Sequence, residues 1–336
     1  MKVLVAGGTG FIGSHTIVEL LDAGHEVVCV DNLSNSKIEV IDRIKKITNK
    51  DFGFYNIDLC DKAKVFDMFE RESKSKNFDS IIMFAGFKAV GESVEKPLEY
   101  YENNLISLIN ICFAMKKYNC FSIIFSSSAT VYGDPKIIPV TEECEKGKIS
   151  SPYGWTKSMI EQILSDFTNS DNKISVTLLR YFNPIGAHKS GLIGEDPNGI
   201  PNNLVPYIAD VVMGKREFLR VFGNDYDTVD GTGVRDYIHV VDLAKGHVLS
   251  LKLYNKQGVH IYNLGTGRGY SVLEVLKMYE KVSGKNIPYK IMDRRKGDVA
   301  TLYCDPSKAK NELGFVAKLS LEDMCRDSYN YQLKGR

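Results

Sequence analysis

Short apolar runs alternate with amphipathic segments in the first part of the chain. The run Val3-Leu4-Val5-Ala6 is continuous, as in a strand that is buried on both faces of a parallel sheet. A glycine-rich turn follows, and apolar residues then recur at the spacing of a helix as far as Gly24. A second apolar run, 26–30, ends at Asp31. The pattern predicts a strand, a helix and a second strand, which together form a βαβ unit.

Further segments of the same two kinds follow along the chain. Their alternation predicts an α/β fold, with a doubly wound parallel sheet of the Rossmann type. Apolar runs predict the later strands of this sheet at 52–57, 80–86, 121–125 and 174–182. Helical periodicity predicts helices at about 97–117, 204–215 and 271–283.

The composition changes after the strand predicted at 174–182. Residues 184–206 are rich in Gly, Pro and Asn, which indicates a long functional loop and a domain change. We therefore predict a dinucleotide-binding Rossmann domain at 1–183, which holds the candidate catalytic residues, and a smaller α/β substrate-binding domain at 184–336. Segments such as 235–250 are able to pack back on the first domain.

The turn after the first strand carries the first candidate chemistry. Its sequence, Gly7-Gly8-Thr9-Gly10-Phe11-Ile12-Gly13, lets the backbone turn tightly and approach a pyrophosphate at the N-terminus of a helix. Asp31, at the end of the second strand, is placed to accept both hydroxyls of a ribose. The same carboxylate repels a 2′-phosphate, so the sequence favours NAD over NADP.

Several other polar or small residues come directly after predicted strands. Open α/β sheets bind ligands at the carboxyl ends of their strands, so Gly7, Asp31, Asp58, Gly86 and Ser128 are expected to converge on one crevice. Asp58 is suited to reach the edge of an adenine, and a turn aspartate satisfied by its own backbone is an equal alternative.

Tyr153 and Lys157 are a candidate acid/base pair. Pro152 is suited to the first turn of a helix, and a spacing of four then puts the phenol and the ammonium on one face. A nearby ammonium lowers the pKa of a phenol because it stabilises the phenolate. Ser128, at the end of the adjacent strand, is placed to hold a substrate alcohol during proton transfer. Without the nucleotide-binding signature, the same pair would be interpreted as a solvated helix face.

Composition limits the remaining possibilities. The chain has 336 residues and a formal net charge of +1, which provides no field to recruit nucleic acid or an anionic membrane. No apolar run is long enough to span a membrane. The seven cysteines show no C-x-x-C pair, which indicates reduced thiols and a cytoplasmic location. The six histidines lack metal-ligand spacing, so no metal site is predicted.

Arginines in the second half suggest an anionic substrate. Arg235, Arg294 and Arg295 have the planar guanidinium that matches phosphate oxygens, although for each one alone a surface ion pair is the more common explanation. Asn183 ends a central strand, and the side chains of Asn203 and Phe222 are suited to hydrogen-bond and stack on a base.

Seven segments, spread nearly end to end, carry a family resemblance. They are 7–15, 31–33, 88–93, 126–133, 180–184, 223–226 and 230–240, of which the last reads Asp-Gly-Thr-Gly-Val-Arg-Asp-Tyr-Ile-His-Val. The chain resembles the UDP-glucose 4-epimerase family of extended short-chain dehydrogenases/reductases in all of them. The last two segments are much more specific than the dinucleotide fingerprint, which sugar-nucleotide dehydratases and decarboxylases share.

The resemblance implies a role for many individual residues. Tyr153 becomes the acid/base residue, Lys157 its electrostatic partner and ribose contact, and Ser128 the hydroxyl that positions the sugar. The implied contacts of NAD are Gly7, Gly10, Phe11, Ile12, Gly13, Asp31, Asn32, Asn35, Ser36, Asp58, Leu59, Phe84, Ala85, Lys88, Asn103, Ser128, Tyr153, Lys157 and Phe182. Those of the UDP-sugar are Ser128, Tyr153, Asn183, Asn203, Leu204, Phe222, Arg235, Tyr237, Arg295, Asp298 and Leu302.

The resemblance also implies a reaction and an assembly. The family interconverts UDP-galactose and UDP-glucose through a 4-keto sugar, so a UDP-hexose substrate, NAD and a homodimer are expected. Dimerisation would use the helix with Tyr100, Tyr101, Leu105, Ile109 and Phe113, whose residues equally fit an ordinary core. Two alternatives are a sugar-nucleotide 4,6-dehydratase and a nucleotide-sugar sensor without turnover. The dehydratase is disfavoured because Ser128-Ala129-Thr130 offers no acid pair.

One position, Leu302, concerns specificity for the hexose, and another, Trp155, departs from the family pattern. In the family, a tyrosine at the position of Leu302 narrows the hexose pocket, and a small residue admits 2-acetamido sugars. Leu302 therefore predicts some activity on UDP-N-acetylglucosamine and UDP-N-acetylgalactosamine. Trp155, two residues after Tyr153, replaces the lysine or small residue that the family often has, and we expect its ring to pack outside the site.

Overall fold

The structure, a computed structural model, describes residues 1–196, 201, 203–295 and 297–334. These residues form two compact units, each built from several stretches of chain. The first unit comprises Met1–Gly133, Lys146–Arg180 and Ala244–Tyr262. The second comprises Asp134–Glu145, Tyr181–Leu243 and the described residues from Asn263 onward. The division of the chain into 1–183 and 184–336 stays a prediction.

Helices and strands alternate through most of the chain. The strands are β1 (Lys2–Ala6), β2 (Glu26–Asp31), β3 (Gly53–Asn56), β4 (Ser80–Met83), β5 (Ser122–Ser128), β6 (Ser175–Tyr181), β7 (Asn183–Ile185), β8 (Leu219–Phe222), β9 (Val234–His239), β10 (Gly258–Leu264), β11 (Gly269–Ser271), β12 (Tyr289–Met292) and β13 (Thr301–Leu302). The α-helices are α1 (Phe11–Asp22), α2 (Glu39–Thr48), α3 (Lys62–Ser73), α4 (Val90–Glu95), α5 (Pro97–Lys117), α6 (Pro152–Ser170), α7 (Leu204–Val212), α8 (Val240–Ser250), α9 (Val272–Ser283) and α10 (Leu321–Lys334).

A seven-stranded sheet forms the centre of the first unit. Its strand order is β10-β6-β5-β4-β1-β2-β3. The pairs β1–β2, β1–β4, β2–β3 and β4–β5 are parallel, and α-helices connect the strands. The predicted α/β class with a doubly wound parallel sheet is confirmed. The strand order reverses at β1 and β4, which is the point where such sheets bind ligands.

Burial explains why the central strands are continuous apolar runs. All five residues of β1 are buried, and β4 is buried along its whole length. Their side chains contact helices rather than water, so no polar alternation is required. The apolar cluster on one side combines side chains such as Leu4, Ile81 and Ile123 with Leu108 of α5 and Leu164 of α6.

Helix α6 begins as the sequence predicts. Pro152 occupies the first turn, where a missing N–H leaves no intrahelical bond unmade. Ser151 is the N-cap, and its hydroxyl accepts a hydrogen bond from the Gly154 N–H at 3.2 Å. The cap therefore fixes the start of the helix that carries Tyr153 and Lys157.

Smaller sheets organise the second unit. Strand β9 pairs in parallel with β7 and β13 and antiparallel with β11, while β8 and β12 form a separate parallel pair. Helices α7, α9 and α10 share one apolar cluster with residues of β8 and β9. The helix predicted at 204–215 ends at Val212, and Gly214 follows with a φ of +74°. Such a positive φ suits glycine and stops the helix.

Candidate active site

The glycine turn between β1 and α1 is closely packed and open at the helix N-terminus. Gly7 has a φ of +79°, and a Cβ there would lie 2.7 Å from the backbone nitrogen of Ala85. A Cβ on Gly13 would collide with the carbonyl oxygen of Gly7. Gly10 is the N-cap of α1 and supplies no side-chain cap, so the first N–H groups of the helix remain available to an anion. The turn therefore fits a dinucleotide pyrophosphate.

Asp31 lies beside this turn, at the end of β2. Its Oδ2 accepts a hydrogen bond from the Thr9 N–H at 3.1 Å. Its Oδ1 accepts from the Leu33 N–H at 2.9 Å and from the Ser36 hydroxyl at 3.1 Å. These contacts fix the carboxylate on the turn and use three of its roughly four acceptor sites, which leaves about one for a ribose hydroxyl.

Asn32 and Asp58 extend the same edge of the sheet. The Asn32 amide donates to Asp58 Oδ2 at 3.1 Å, and Asp58 Oδ1 accepts from the Cys60 N–H at 2.8 Å. The turn interpretation of Asp58 is thus realised, while both side chains remain exposed to a ligand. Contact of Asp58 with an adenine stays a prediction.

The segment after β4 is held by a buried asparagine. Asn104 Oδ1 accepts from the Phe87 N–H at 2.7 Å, and its Nδ2 donates to the Phe87 carbonyl at 3.1 Å. The same Nδ2 donates to the Thr156 hydroxyl on α6 at 3.1 Å, and Asn103 donates to Asn104. These two asparagines therefore brace the segment that follows β4 against α6. Lys88 follows this braced segment and is exposed.

Ser128, Tyr153 and Lys157 come together in the first unit. Ser128 ends β5, and its side chain hydrogen-bonds to Tyr153 on α6. Lys157 Nζ donates to the carbonyl of Ser126 at 2.7 Å and lies 5.8 Å from the centre of the Tyr153 ring. The three side chains that the sequence pattern predicts as a candidate acid/base site therefore lie close together.

The electrostatics of this group differ from the sequence expectation. Burial raises the pKa of Tyr153 to about 12, and the hydrogen bond with Ser128 acts in the opposite direction. The expected lowering by Lys157 does not appear, because the ammonium is directed to the Ser126 carbonyl and desolvation dominates. Burial lowers the pKa of Lys157 to about 8, and the charge of Glu161 opposes this shift.

Glu161 is a buried residue that the sequence reasoning missed. It lies two turns beyond Tyr153 on the same face of α6, since 153, 157 and 161 are four apart. Its carboxylate is bound by Arg180 of β6 and by Ser127 of β5. The Glu161-Arg180 charge pair was visible in the sequence only as two isolated charges, because nothing local indicates that a strand places them together.

The other residues assigned to NAD contacts lie in or directly beside the elements already described. Gly7, Gly10, Phe11, Ile12 and Gly13 form the turn and the start of α1, and Asn35 is exposed between β2 and α2. Phe84 and Ala85 donate their N–H groups to the Ala6 carbonyl at 2.8 and 3.0 Å. Leu59 is buried after β3, and Phe182 is buried between β6 and β7.

Within the second unit, β9 brings several predicted UDP contacts together. Arg235 lies beside Leu302 of β13, and Tyr237 lies beside Asn183 of β7. Arg235 Nη2 is 3.4 Å from Asp298 Oδ1, so two of the predicted UDP contacts form an ion pair with each other. Burial raises the pKa of Tyr237 to about 12, which keeps its phenol protonated at neutral pH.

A second group lies at the end of β8. The guanidinium of Arg295 is 3.9 Å from the centre of the Phe222 ring, a cation–π contact. Arg294 instead binds Asp225, Nε to Oδ1 at 2.7 Å, and lies over the Tyr226 ring. Arg294 is thus explained by its surface ion pair, whereas the fork of Arg295 is exposed.

Asn203 and Leu204 lie at the start of α7. Asn203 is the N-cap residue by position but gives no side-chain cap, and its Nδ2 donates to Glu195 Oε1 at 2.9 Å. Residues 197–200 and 202 of the long loop predicted at 184–206, and Lys296 of the Arg294-to-Asp298 segment, lie outside the described residues.

Asp236 is another buried carboxylate that pattern reasoning passed over. It accepts hydrogen bonds from the Thr266 N–H at 2.8 Å and hydroxyl at 2.7 Å, and from the Gly267 N–H at 3.1 Å. Burial raises its pKa, and these donors oppose the shift. Its place between Arg235 and Tyr237 lets it anchor β9 to the loop after β10. The alternation of side chains along a strand was the available signal.

The described part of the chain lacks two other kinds of feature. No helix in the described part of the chain is long and apolar enough to cross a membrane. Among the same residues, no group of three or more His, Cys, Asp or Glu side chains is arranged to hold a metal ion.

The fold and the Ser128, Tyr153 and Lys157 arrangement define an extended short-chain dehydrogenase/reductase. A family model described as GDP-mannose 4,6 dehydratase matches residues 4–328. The chain is 59% identical over 333 residues to the UDP-glucose 4-epimerase of Bacillus subtilis (strain 168), with 99% of this chain and 97% of the relative covered. The chain belongs to the UDP-glucose 4-epimerase family.

Solved structures agree with this assignment. The UDP-glucose 4-epimerase of Bifidobacterium longum, in complex with NAD+ and UDP, matches with a TM-score of 0.95 and 54% identity, covering 99% of this chain and 98% of that one. The UDP-Glc/GlcNAc 4-epimerase of Campylobacter jejuni matches with a TM-score of 0.86 and 35% identity, covering 99% of each chain.

Proposed function

We propose that this chain is an NAD-dependent epimerase that interconverts UDP-galactose and UDP-glucose. It acts by oxidation and re-reduction at C4 of the hexose, through a 4-keto sugar. The observation that carries this function is the contact of Ser128 with Tyr153 beside the buried Lys157, at the ligand-binding edge of a dinucleotide fold. The identity and coverage of the epimerase relatives support it.

The residues proposed to hold NAD are those of the glycine turn, Asp31, the Asn32-Asp58 pair and the segment Phe84-Ala85. The chemistry that NAD supplies when bound is the reversible acceptance of hydride from C4 of the sugar. The chain supplies the fixed geometry, because Asp31 and Asn104 are already held by hydrogen bonds. The other contacts implied by the family resemblance remain part of the proposal.

Proton transfer falls to Tyr153 in this proposal. Its oxygen takes the proton of the sugar 4-hydroxyl during oxidation and returns it during reduction. Ser128 holds the same hydroxyl in line through its hydrogen bond with the phenol. Lys157 provides a positive charge beside the phenol, since its ammonium predominates below a pKa of about 8.

The second unit binds UDP in this proposal, through the contacts assigned by resemblance. The diphosphate contacts Arg235 and Arg295, and the base contacts Phe222 and Asn203. The other residues assigned to the UDP-sugar are Tyr237, Asn183, Leu204 and Asp298. The contact of Arg235 with Asp298 at 3.4 Å is long, and the Asp298 side chain is 40% exposed, so phosphate oxygens can replace the carboxylate. Strong anchoring of UDP and weak anchoring of the hexose allow the 4-keto sugar to turn over.

We also propose that the hexose pocket admits 2-acetamido sugars. Leu302 is partly buried beside Arg235 on β13. A leucine occupies less space than a tyrosine and adds no hydrogen bond, so an N-acetyl group can fill the extra volume. The Campylobacter jejuni relative, whose name gives activity on both sugars, supports such dual specificity in the family.

A homodimer is proposed on a surface of α5 and α6. Phe113 of α5 is 51% exposed, Trp155 of α6 is 43% exposed, and Ile109 and Met159 on the same two helices are also exposed. Of the helix residues predicted at this interface, Tyr100 belongs to the core instead, because it is 1% exposed and its hydroxyl donates to Glu92. Exposed apolar side chains on two packed helices favour burial against a second copy.

Sedimentation of Phe113→Glu tests the dimer. A charge in the centre of the interface is expected to give a monomer at micromolar concentration, because an unpaired carboxylate resists burial. Val229→Glu, at an 83% exposed apolar position of the second unit, is the matched control and is expected to keep the dimer. A wild-type chain that sediments as a monomer removes this proposal without affecting the catalytic one.

A cytoplasmic location is the remaining proposal. All seven cysteines are described and all are free thiols, and four of them are buried. Buried, unpaired thiols suit a reducing compartment. Localisation of the tagged chain by fractionation tests this proposal, and recovery outside the cytoplasm would contradict it.

Incubation of the purified chain with UDP-galactose, without added NAD and then with it, tests the reaction. Formation of UDP-glucose is the expected result. A 4-keto-6-deoxy product identifies a dehydratase instead, and binding without turnover identifies a sensor. The family model named for a dehydratase makes this product analysis necessary, although Ser128-Ala129-Thr130 contains no acid pair for elimination.

A further inference from the structure

A buried ion cluster lies behind the acid/base pair in the first unit. Glu161 is 1% exposed and accepts two hydrogen bonds from Arg180, Nε to Oε1 at 2.9 Å and Nη2 to Oε2 at 2.7 Å. Lys146 Nζ is 2.9 Å from Oε2. Desolvation offsets the attraction in a pair as deep as this one, so its contribution to stability is a weak reason for its presence.

The cluster is tied directly to the strand that carries Ser128. The Ser127 hydroxyl donates to Glu161 Oε1 at 2.6 Å. Ser127 stands between Ser126, whose carbonyl accepts from Lys157, and Ser128, which hydrogen-bonds to Tyr153. Successive residues of a strand share one rigid backbone, so the position of Ser127 fixes both neighbours.

We propose that Glu161 is a positioning residue that ties the end of β5 to α6 and so aligns Lys157 and Ser128 with Tyr153. It acts through Ser127 and Lys157 and does not itself touch the reacting atoms. The inference rests on the catalytic roles proposed above for Tyr153, Lys157 and Ser128.

The charge of Glu161 has a second effect, on the ammonium of Lys157. Desolvation lowers the pKa of Lys157, and the Glu161 carboxylate opposes that shift. Loss of the carboxylate would therefore lower the pKa of Lys157 further. Arg180 and Lys146 hold the pKa of Glu161 low enough for it to be charged at neutral pH. The groups that face Lys157 and Glu161 from the packed elements are Tyr153 of α6, Phe125, Ser126 and Ser127 of β5, Arg180 of β6, Tyr132 next to Arg180, and Lys146 before α6.

Two variants separate the geometric effect from the electrostatic effect. Ser127→Ala removes the tie to β5 and leaves the Glu161-Arg180 pair intact. Glu161→Gln removes the charge and leaves one acceptor oxygen for Ser127, Arg180 and Lys146, so it also weakens the tie. For both we expect kcat to fall about ten- to a hundredfold, because misplacement alone has effects of this size. The KM for UDP-galactose should stay within about threefold, since the second-unit residues proposed to anchor UDP are unchanged.

The pH profile of kcat distinguishes the two variants further. In Glu161→Gln the alkaline limb should move to lower pH by about half a unit or more, because the ammonium loses a stabilising charge. In Ser127→Ala the limb should stay in place. Asp166→Asn, at an exposed carboxylate of α6, is the matched control and should match wild type in every measurement.

Amide hydrogen exchange of residues 122–132 in the substrate-free protein supplies a readout independent of turnover. Faster exchange at 126–128 in Ser127→Ala and Glu161→Gln than in Asp166→Asn is expected. If Glu161→Gln does not fold, the decision rests on Ser127→Ala: reduced kcat at a wild-type melting temperature supports the proposal, and wild-type kcat overturns it.

A folded Glu161→Gln with wild-type kcat and an unmoved alkaline limb also overturns the proposal and makes Glu161 an ordinary buried ion pair. Tyr153→Phe, measured in parallel, distinguishes a failure of the proposed catalytic roles from a failure of the positioning role. Full activity of Tyr153→Phe would remove the catalytic roles themselves, whereas an inactive Tyr153→Phe beside an active Glu161→Gln would remove only the positioning role.

Discussion

The two units hold their charged site residues in different ways. In the first unit Lys157 is 6% exposed and donates to a backbone carbonyl, and its neighbour Glu161 is 1% exposed. In the second unit Arg295 is exposed on the Phe222 ring, and Arg235 reaches Asp298 at 3.4 Å. The first set is fixed by buried hydrogen bonds. In the second set Arg235 also donates through Nη1 to the Val234 carbonyl at 2.9 Å, but its Nη2 is paired with Asp298, a group that a ligand can displace.

This difference indicates a division of labour between the two sets. Buried groups keep their geometry whether or not a ligand is present, so changes to them should alter kcat and its pH dependence. An arginine whose partner is displaceable can exchange that partner for phosphate, so changes to Arg235 and Arg295 should alter KM and its dependence on salt. Four measurements test or refine the comparison.

The largest effect is expected for Tyr153→Phe. The variant lacks the proposed proton acceptor and keeps the ring, so kcat should fall about 100- to 10,000-fold, the usual contribution of acid/base catalysis. NAD binding should persist, since the glycine turn and Asp31 are untouched. Turnover assays with UDP-galactose and fluorescence titration with NAD check both statements.

The matched control for this prediction is Tyr101→Phe, which removes a phenol hydroxyl from α5 rather than α6. It should retain wild-type kcat. Activity of Tyr153→Phe within tenfold of wild type would contradict the assignment of the phenol, and equal losses in both variants would indicate a general structural effect.

A smaller effect, in KM, is expected for Arg235→Met. Hydrogen bonds to charged groups contribute about 1.5–3 kcal/mol, so KM for UDP-galactose should rise by roughly ten- to a hundredfold. The variant should also show a weaker dependence of KM on salt, because one screened attraction is gone. Initial rates at several salt concentrations measure both changes.

Arg294→Met is the control for Arg235→Met. Arg294 is exposed in the same unit but is already bound to Asp225 at 2.7 Å. Its substitution should leave KM within about twofold if the surface ion pair is its only role. The comparison between units fails if Arg235→Met lowers kcat with an unchanged KM.

Selectivity between hexoses is the third measurement. Leu302→Tyr should reduce kcat/KM for UDP-N-acetylglucosamine relative to UDP-glucose by about tenfold or more, since one pocket contact is worth about 1–3 kcal/mol. Thr301→Ser, at the neighbouring position of β13, is the control and should leave the ratio unchanged. A wild-type chain that ignores the acetamido sugar would show that Leu302 is not the gate.

The elements of the first unit followed from local patterns. The apolar runs of β1 and β4 and the Ser151-Pro152 start of α6 are local signals, and the structure contains them at the predicted places. Tyr153 and Lys157 were also accessible, because a spacing of four determines a shared helix face.

Long-range effects were not accessible from the pattern. The pKa of Tyr153 depends on how deeply the phenol is buried, which no spacing indicates. The tie between Glu161, Ser127 and Arg180 joins three elements distant in sequence. The unit boundaries likewise depend on packing, since 134–145 groups with later segments and 244–262 with earlier ones.

The smallest effect expected is on stability, and it tests whether Lys157 is buried as a charged group. Burial lowers its pKa from 10.5 to about 8, so between these pH values the unfolded state binds more protons than the folded state. Stability conferred by wild-type Lys157 relative to Lys157→Met should therefore rise with pH above about 8, by at most about 1.4 kcal/mol per pH unit, and should be flat below it. Denaturant unfolding of both ligand-free proteins across pH 7–10 measures the difference, with Lys74→Met, an exposed lysine after α3, as the baseline. A difference that is flat over the whole range, or that falls with pH, would mean that Lys157 is not desolvated. The contrast between a buried, fixed cation and arginines with displaceable partners would then lose its physical basis.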